Sequence, residues 1–277
     1  KKIAILATSL FLTLTMQAQD RPQPKPGPAP KINIGKPQTF ELPNGLKVLV
    51  VENNKLPRVN MSLSMDRPPV YEGKIVGVSQ IMADQLGSGT TSMSKEDFNK
   101  KIDFLGANLN FSSSGANANT LSKYFPQVLG LMADAIVNPK FSETEVKSSK
   151  DRMIEGLKAD EKNASSIANR VFNALTYGKN TSRGEFETQE SIKNIQLADV
   201  QNMYSKYYTP NNAYLVVVGD VKYNDAKKMI EKAFSGWKKS NTTFAALEPA
   251  VNVATTEINV VDVPTAVQSV VSVGNIN

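Results

Sequence analysis

Apolar and polar residues alternate in several stretches of the chain, and a period of two residues predicts β-strands. Residues 59–65 and 107–111 alternate in this way and are predicted to be half-buried strands, with a polar turn at about residues 114–117 after the second. Apolar runs flank residues 43–45, Pro-Asn-Gly, and an Asn-Gly pair between such runs predicts a hairpin. Residues 213–218 form an unbroken apolar run, which predicts a central strand buried on both faces.

Other stretches repeat their apolar residues every three or four positions, which is the period of an amphipathic helix. Within residues 77–90, apolar residues recur at a spacing of four from Val78 to Leu86 and predict a helix. Ser94 is predicted to be the N-cap of one helix and Gly106 to end it. At the start of a later helix, Ser142 and Glu145 have the spacing of a capping box. The same period predicts helices at about residues 94–106, 124–137, 142–160, 167–175, 187–194, 198–208 and 223–237.

The order of these elements indicates the fold class. Strands, two helices, further strands, several helices, a strand and a final helix suit an α+β domain, with helices packed on one face of a mostly antiparallel sheet. We predict that this domain spans residues 38–240 and that a polar linker follows at residues 241–256. Residues 257–263 and 267–273 are two more strand-like runs, and a strand pair with nothing to pack on is marginally stable. We therefore expect residues 257–277 to be the first strands of a truncated second domain.

Residues 1–19 differ in composition from the rest of the chain. A basic start, an apolar run at residues 3–14 and small or polar residues near Ala18 are typical of a secretory signal peptide. The run is shorter than the about 20 residues needed to span a bilayer, and no cysteine follows it for lipid attachment. Residues 20–37 are rich in proline and are predicted to be an extended linker. We expect a periplasmic or otherwise exported protein without a stable membrane anchor after signal cleavage.

Composition narrows the chemistry that this chain can perform. Its 277 residues include no histidine and no cysteine, which removes the commonest zinc ligands and any Ser–His or Cys–His nucleophile. The remaining oxygen donors suit hard ions such as calcium or magnesium. Of the net charge of +6, residues 1–31 carry +4. A globule that binds nucleic acid would concentrate basic residues on one face of the fold, so we expect no nucleic-acid partner.

Three segments together resemble one peptidase family. They are FELPNGLKVLVVEN at residues 40–53, GVSQIMADQLGSGT at residues 77–90, and the stretch from TQESIKNI to YLVVVGDV at residues 188–221. The match extends over about residues 40–237 and is similar to the pitrilysin–insulinase family of zinc metallopeptidases, which includes the mitochondrial processing peptidase subunits. The family pattern for the second segment is G-x-A-H-F-L-E-H-M-x-F-K-G-T, whose glycines and threonine match in register.

In that family the inverted H-x-x-E-H motif holds zinc and activates the attacking water, and the resemblance places Gln80, Ala83 and Asp84 at the His, Glu and His positions. The family's third ligand is a glutamate on a later helix. That position falls on Gly156, or on Glu155 after a slip of one residue. The resemblance therefore implies a homologue that lacks catalytic residues and the zinc cofactor, and a second domain of similar fold.

Three functions are compatible with this resemblance. The first is a non-catalytic subunit that binds extended peptides and completes the chamber of a homologous catalytic partner with an intact H-x-x-E-H motif. Peptide binding would use a sheet edge, which offers main-chain hydrogen bonds to an extended chain. The second is a stand-alone peptide-binding or scaffold protein of the cell envelope. The third is an active metallopeptidase with a non-standard site made of Gln80, Asp84 and Glu155.

Overall fold

The computed structural model describes residue 27 and residues 36–276, except residues 245, 248 and 265. The predicted signal peptide at residues 1–19 and nearly all of the predicted linker at residues 20–37 lie outside the described residues. Among the described helices, none has the length and apolar composition that crossing a membrane requires.

A six-stranded sheet forms the centre of the fold, and its spatial order is β1-β2-β6-β3-β5-β4. Every neighbouring pair is antiparallel except β2 and β6, which are parallel. The mostly antiparallel α+β prediction is therefore confirmed. The strands are β1 (Gln38–Glu41), β2 (Lys47–Glu52), β3 (Arg58–Met65), β4 (Asn108–Ser112), β5 (Gly115–Leu121) and β6 (Ala213–Gly219).

The predicted first hairpin is present, and its turn is attached to the end of the domain. Gly45 adopts a φ of 90° in this turn, which favours glycine. The Asn44 side-chain amide donates to the carbonyl oxygens of Phe234 and Trp237 at 2.9 and 3.0 Å. One turn residue thus satisfies two carbonyls where the last helix ends.

Eight α-helices accompany the sheet in the described part of the chain. They are α1 (Val78–Leu86), α2 (Lys95–Leu105), α3 (Phe125–Val137), α4 (Glu143–Asp160), α5 (Ala164–Tyr177), α6 (Gln189–Asn194), α7 (Leu197–Tyr207) and α8 (Tyr223–Phe234). The bounds of α2 follow its predicted caps, because the Ser94 side chain accepts from the Asp97 amide and Gly106 is left-handed. The capping box predicted for α4 is wrong. Ser142 makes no side-chain cap bond, and Glu145 instead pairs with Lys95 of α2 at 2.6 Å.

The helices cover one face of the sheet, and this corrects the prediction for β6. Residues of β6 alternate between buried and more exposed positions, and Tyr214 on the outer face is 37% exposed. Strand β6 is central in the sheet but buried on one face only. Its continuous apolar sequence could not reveal this, because Val216 and Val218 lie half-buried on the face that none of the described helices covers.

Two further expectations differ from the structure. Strand β5 already begins at Gly115, so the turn after β4 consists of residues 113–114 and not 114–117. The described parts of residues 257–263 and 267–273 contain no strand, and side chains such as Ile258 and Val267 are more than four-fifths exposed. A strand needs a neighbour for its backbone hydrogen bonds, and these runs have none among the described residues. Their assignment to a second domain stays a prediction.

Gly77 sets the start of α1 and lies in a tightly packed position. Its φ is 105°, a left-handed conformation that side chains rarely adopt. A Cβ at this position would overlap the Ile192 side chain and would lie 3.0 Å from Met153 Cε. Glycine therefore lets α4 and α6 approach the N-cap of α1 closely.

We predict that Gly77→Ala lowers the free energy of unfolding by about 2–4 kcal/mol, because it adds backbone strain and overpacks the contact. The matched control is Gly156→Ala, since Gly156 lies in the exposed interior of α4 with no atom within 4 Å of a Cβ. This control should stabilise the protein by about 0.5–1 kcal/mol. Urea unfolding of both variants measures the difference, and similar effects of the two substitutions would contradict the assignment.

Candidate functional site

Helix α1 carries the predicted motif, and two glutamates hold its N-terminal end. The Glu72 carboxylate accepts hydrogen bonds from the amides of Gly77 and Ser79 at 2.7 and 3.3 Å. Glu185 in turn accepts from the amides of Glu72 and Gly73 at 2.8–3.1 Å. The free amides at a helix start favour carboxylates, and these bonds position α1.

Gln80 and Asp84 lie one turn apart on α1, as the spacing predicted. Gln80 is exposed and its Nε2 donates to Asp84 Oδ1 at 3.1 Å. Ala83 is 2% exposed, and its methyl group is part of the packed interior. These three positions therefore present an amide and a carboxylate that bind each other, together with a side chain that cannot take part in proton transfer.

Asp84 is bound from the neighbouring helix α4 by an arginine. Arg152 Nη2 donates to Asp84 Oδ2 at 3.1 Å and to Ser149 Oγ at 2.9 Å, and Nη1 donates to Ser148 Oγ at 2.8 Å. Arg152 is 58% exposed, whereas the Asp84 side chain is 27% exposed and Ser149 is buried. The ion pair thus links α1 to α4 at the position of the predicted motif.

The two candidates for a third ligand do not contact this cluster. Gly156 is exposed, and Glu155 is also exposed and pairs with Lys158 of its own helix at 2.7 Å. From α4, Arg152 binds Asp84, and Ser148 and Ser149 accept hydrogen bonds from Arg152. The functional interpretation of the sequence missed Arg152, although its spacing of three from Ser149 places both residues on one side of a helix.

The donor set at this position does not fit the family's zinc. Zinc sites use imidazole, thiolate or several carboxylate ligands. Here one amide and one carboxylate are present, and the carboxylate is already neutralised by a guanidinium. No group of three or more His, Cys, Asp or Glu side chains that could hold a metal ion occurs in the described part of the chain.

A second polar cluster surrounds a cavity of about 380 Å³ at the start of α1, lined by Arg67, Ser79, Glu185 and Glu187 among others. Arg67 donates to the carbonyl oxygens of Tyr207 and Ser113 at 3.0 and 3.2 Å and thereby ties the β3–α1 loop to α7 and the β4–β5 turn. Burial raises the pKa of Glu187, and the negative charge of Glu72 adds to the rise while Arg170 opposes it.

Comparison with known proteins adds two family matches. Residues 47–188 match the model described as insulinase (peptidase family M16), and residues 194–275 match the model described as peptidase M16 inactive domain. A probable mitochondrial-processing peptidase subunit beta from Arabidopsis thaliana is 22% identical over 218 residues, which cover 76% of this chain and 41% of the relative. The chain spans less than half the length of the curated relatives that it matches.

Solved structures show the same fold. A peptidase M16 inactive domain from Pseudomonas fluorescens superposes with a TM-score of 0.70 at 22% identity, covering 78% of this chain and 54% of that one. The periplasmic protease PqqL from Escherichia coli superposes with a TM-score of 0.66 at 18% identity, covering 78% of this chain and 26% of that one.

We predict opposite effects for two glutamates of the polar cluster. Burial raises the folded-state pKa of Glu187 above the ordinary value of 4.5. The contribution of Glu187 to stability is therefore complete in acid, and it is lost as the pH rises from 4.5 through the folded-state pKa. Glu187→Gln should therefore raise the midpoint of thermal unfolding at pH 7 and change it little at pH 4. Burial also raises the pKa of Glu185, but its carboxylate accepts three hydrogen bonds from the amides of Glu72 and Gly73. Glu185→Gln should therefore lower the stability by about 1–2 kcal/mol at pH 7, because it turns an NH2 group toward these donors. Thermal unfolding across pH measures both, and a destabilised Glu187→Gln protein at pH 7 would oppose this reading.

The Asp84–Arg152 pair is predicted to contribute a small coupling energy. A double-mutant cycle of Asp84→Ala and Arg152→Ala should give about 0.5–1 kcal/mol, the upper range for a partly exposed ion pair. The exposed Lys147–Asp151 pair on the same helix is the control and should give about 0.3–0.5 kcal/mol. Chemical unfolding in low salt measures both cycles. A coupling of zero for Asp84 and Arg152 would mean that they do not interact in solution.

Proposed function

The chain belongs to the insulinase family, peptidase family M16, and on that premise we propose that it is a catalytically inactive member that holds extended peptides for a catalytic partner. The Asp84–Arg152 contact carries the proposal, because a guanidinium neutralises the carboxylate at a position where the family places a metal ligand. The absence of histidine from the whole sequence supports it independently. Without imidazole ligands or a carboxylate at position 83, this site has no means of activating water.

Peptide holding is supported by the edge of the sheet that lies beside α1. Strand β4 has a strand neighbour on one side only among the described residues, and it is therefore an edge strand. Its Phe111 ring packs against Gly87 at the end of α1. The free backbone groups of an edge strand can pair with an extended peptide irrespective of its side chains. A peptide bound there would pass close to the cluster of Gln80, Asp84 and Arg152.

A catalytic partner and export complete the proposal. The Arabidopsis relative is by its name a subunit, which supports an assembly of homologous chains with one intact H-x-x-E-H motif. The basic and apolar leader at residues 1–19, together with the periplasmic protease among the structural neighbours, supports export. A stand-alone peptide-binding or scaffold protein of the cell envelope is the second candidate, and it uses the same sheet edge without a partner.

The first experiment compares the protein alone with a mixture of the protein and a homologue that carries H-x-x-E-H. Each preparation is assayed for zinc content and for cleavage of a quenched fluorescent peptide. We expect no bound zinc and no cleavage from the protein alone, but co-elution with the homologue and increased activity of the mixture. Chelator-sensitive cleavage by the protein alone would overturn the proposal. Peptide binding without association would favour the stand-alone candidate.

Hydrogen–deuterium exchange tests which edge binds peptide. Addition of the uncleaved quenched peptide should slow exchange in β4, because new hydrogen bonds protect its outward amides. The opposite edge strand, β1, serves as the internal control and should exchange at an unchanged rate. A version of the peptide with alternate amides N-methylated should lose the protection. Protection of β1 alone would show that the peptide binds the opposite edge of the sheet and would contradict the assignment to β4.

A further inference from the structure

Arg152 places a permanent positive charge beside Asp84, at the motif positions 80, 83 and 84, which we call the degenerate motif. Its guanidinium lies 3.1 Å from Asp84 and is oriented by the hydroxyl groups of Ser148 and Ser149 at 2.8 and 2.9 Å. An arginine stays charged at any physiological pH and cannot act as a metal ligand. The guanidinium of Arg152 therefore repels any cation that approaches Asp84.

We propose that Arg152 takes the place of the metal ion, so that this chain excludes divalent cations even when the ligand side chains are restored. The inference rests on the proposed function and extends it from lost ligands to an active electrostatic block. The arginine also links α1 to α4, as a metal bound by both helices would, and the contact between the helices is then independent of metal.

The same geometry assigns the α4 position that faces the motif. Ser149 is 1% exposed, and its hydroxyl meets the nitrogen of Arg152 that binds Asp84. Gly156 lies seven residues further along α4, which is about 10 Å along the helix axis. It is exposed, with no neighbouring atom within 4 Å of a Cβ. We infer that a glutamate at position 149 reaches a metal beside residues 80 and 84 more readily than one at position 156, because Ser149 already contacts the Asp84–Arg152 pair.

The test restores the motif and then varies only the charge at position 152. The parent variant carries Gln80→His, Ala83→Glu and Asp84→His, and it is compared with versions that add Arg152→Gln or Arg152→Lys. Zinc stoichiometry is measured after gel filtration, and the dissociation constant by competition with a chromophoric chelator. Arg152→Gln should tighten zinc binding by about a hundredfold, because it removes a charge next to a divalent ion. Arg152→Lys keeps the charge and should resemble the parent.

The position of the third ligand is tested in the Arg152→Gln background. Adding Ser149→Glu should tighten zinc binding by a further tenfold or more, about the effect of one more charged ligand. Adding Gly156→Glu supplies the same carboxylate at the exposed position and should change the dissociation constant less than about twofold. Equal gains from the two glutamates, or a gain from Gly156→Glu alone, would overturn the assignment of Ser149.

Two outcomes separate this inference from the proposed function. Equal zinc affinity with arginine and glutamine at position 152 would overturn the electrostatic block while leaving the unmodified chain inactive. Tight zinc binding by the unmodified chain would instead overturn the proposed function itself. Circular dichroism and thermal unfolding verify the fold of each variant. If the triple variant does not fold, the comparison at position 152 is repeated with Gln80→His and Asp84→His alone, since two histidines one turn apart still bind zinc.

Discussion

The insertion of β6 between β2 and β3 is the constraint on which the rest of the fold depends. Helices α1–α7 separate β6 from both neighbours in the chain, yet β6 pairs in parallel with β2 and antiparallel with β3. After β3, the chain must therefore leave the centre of the sheet and return to it as β6. They cover a single face, where the inward residues of all the central strands bury one continuous core. Helices α1 and α4 are both packed on this face of the sheet, where they contact each other.

The geometry of the cluster of Gln80, Asp84 and Arg152 depends on that packing. Glu72 and Glu185 fix the start of α1, Gly77 lets α4 and α6 come close, and Arg152 then lies within reach of Asp84. An ion pair between two helices supplies what a metal could supply structurally, a charged link across the contact. It cannot supply the chemistry, because a guanidinium neither lowers the pKa of a bound water nor offers open coordination positions. In the proposed function, this salt bridge lies at a position where the family places a metal ligand.

Local signals predicted those features that depend on neighbours in sequence. The Asn-Gly hairpin, the Ser94 and Gly106 caps of α2 and the alternation in β3 each reflect contacts within a few residues. The predictions that were wrong concern features that depend on residues far away in the sequence. Glu145 was predicted to cap its own helix, but it pairs with Lys95 of α2. In β6, apolar residues suggested burial on both faces, while the helices cover only one.

By itself, the sequence determined that no imidazole or thiolate chemistry is available, that the domain is α+β, and that Gln80 and Asp84 share a side of one helix. These conclusions need only composition and the periods of regular secondary structure. The tertiary structure alone decided which part of α4 faces that helix. A periodic pattern fixes the rotation of a helix about its axis, but it does not fix how far the helix slides along a neighbour. Packing at Gly77 sets that position, and it brings Ser149 and Arg152 to Asp84 while Gly156 and Glu155 remain in solvent.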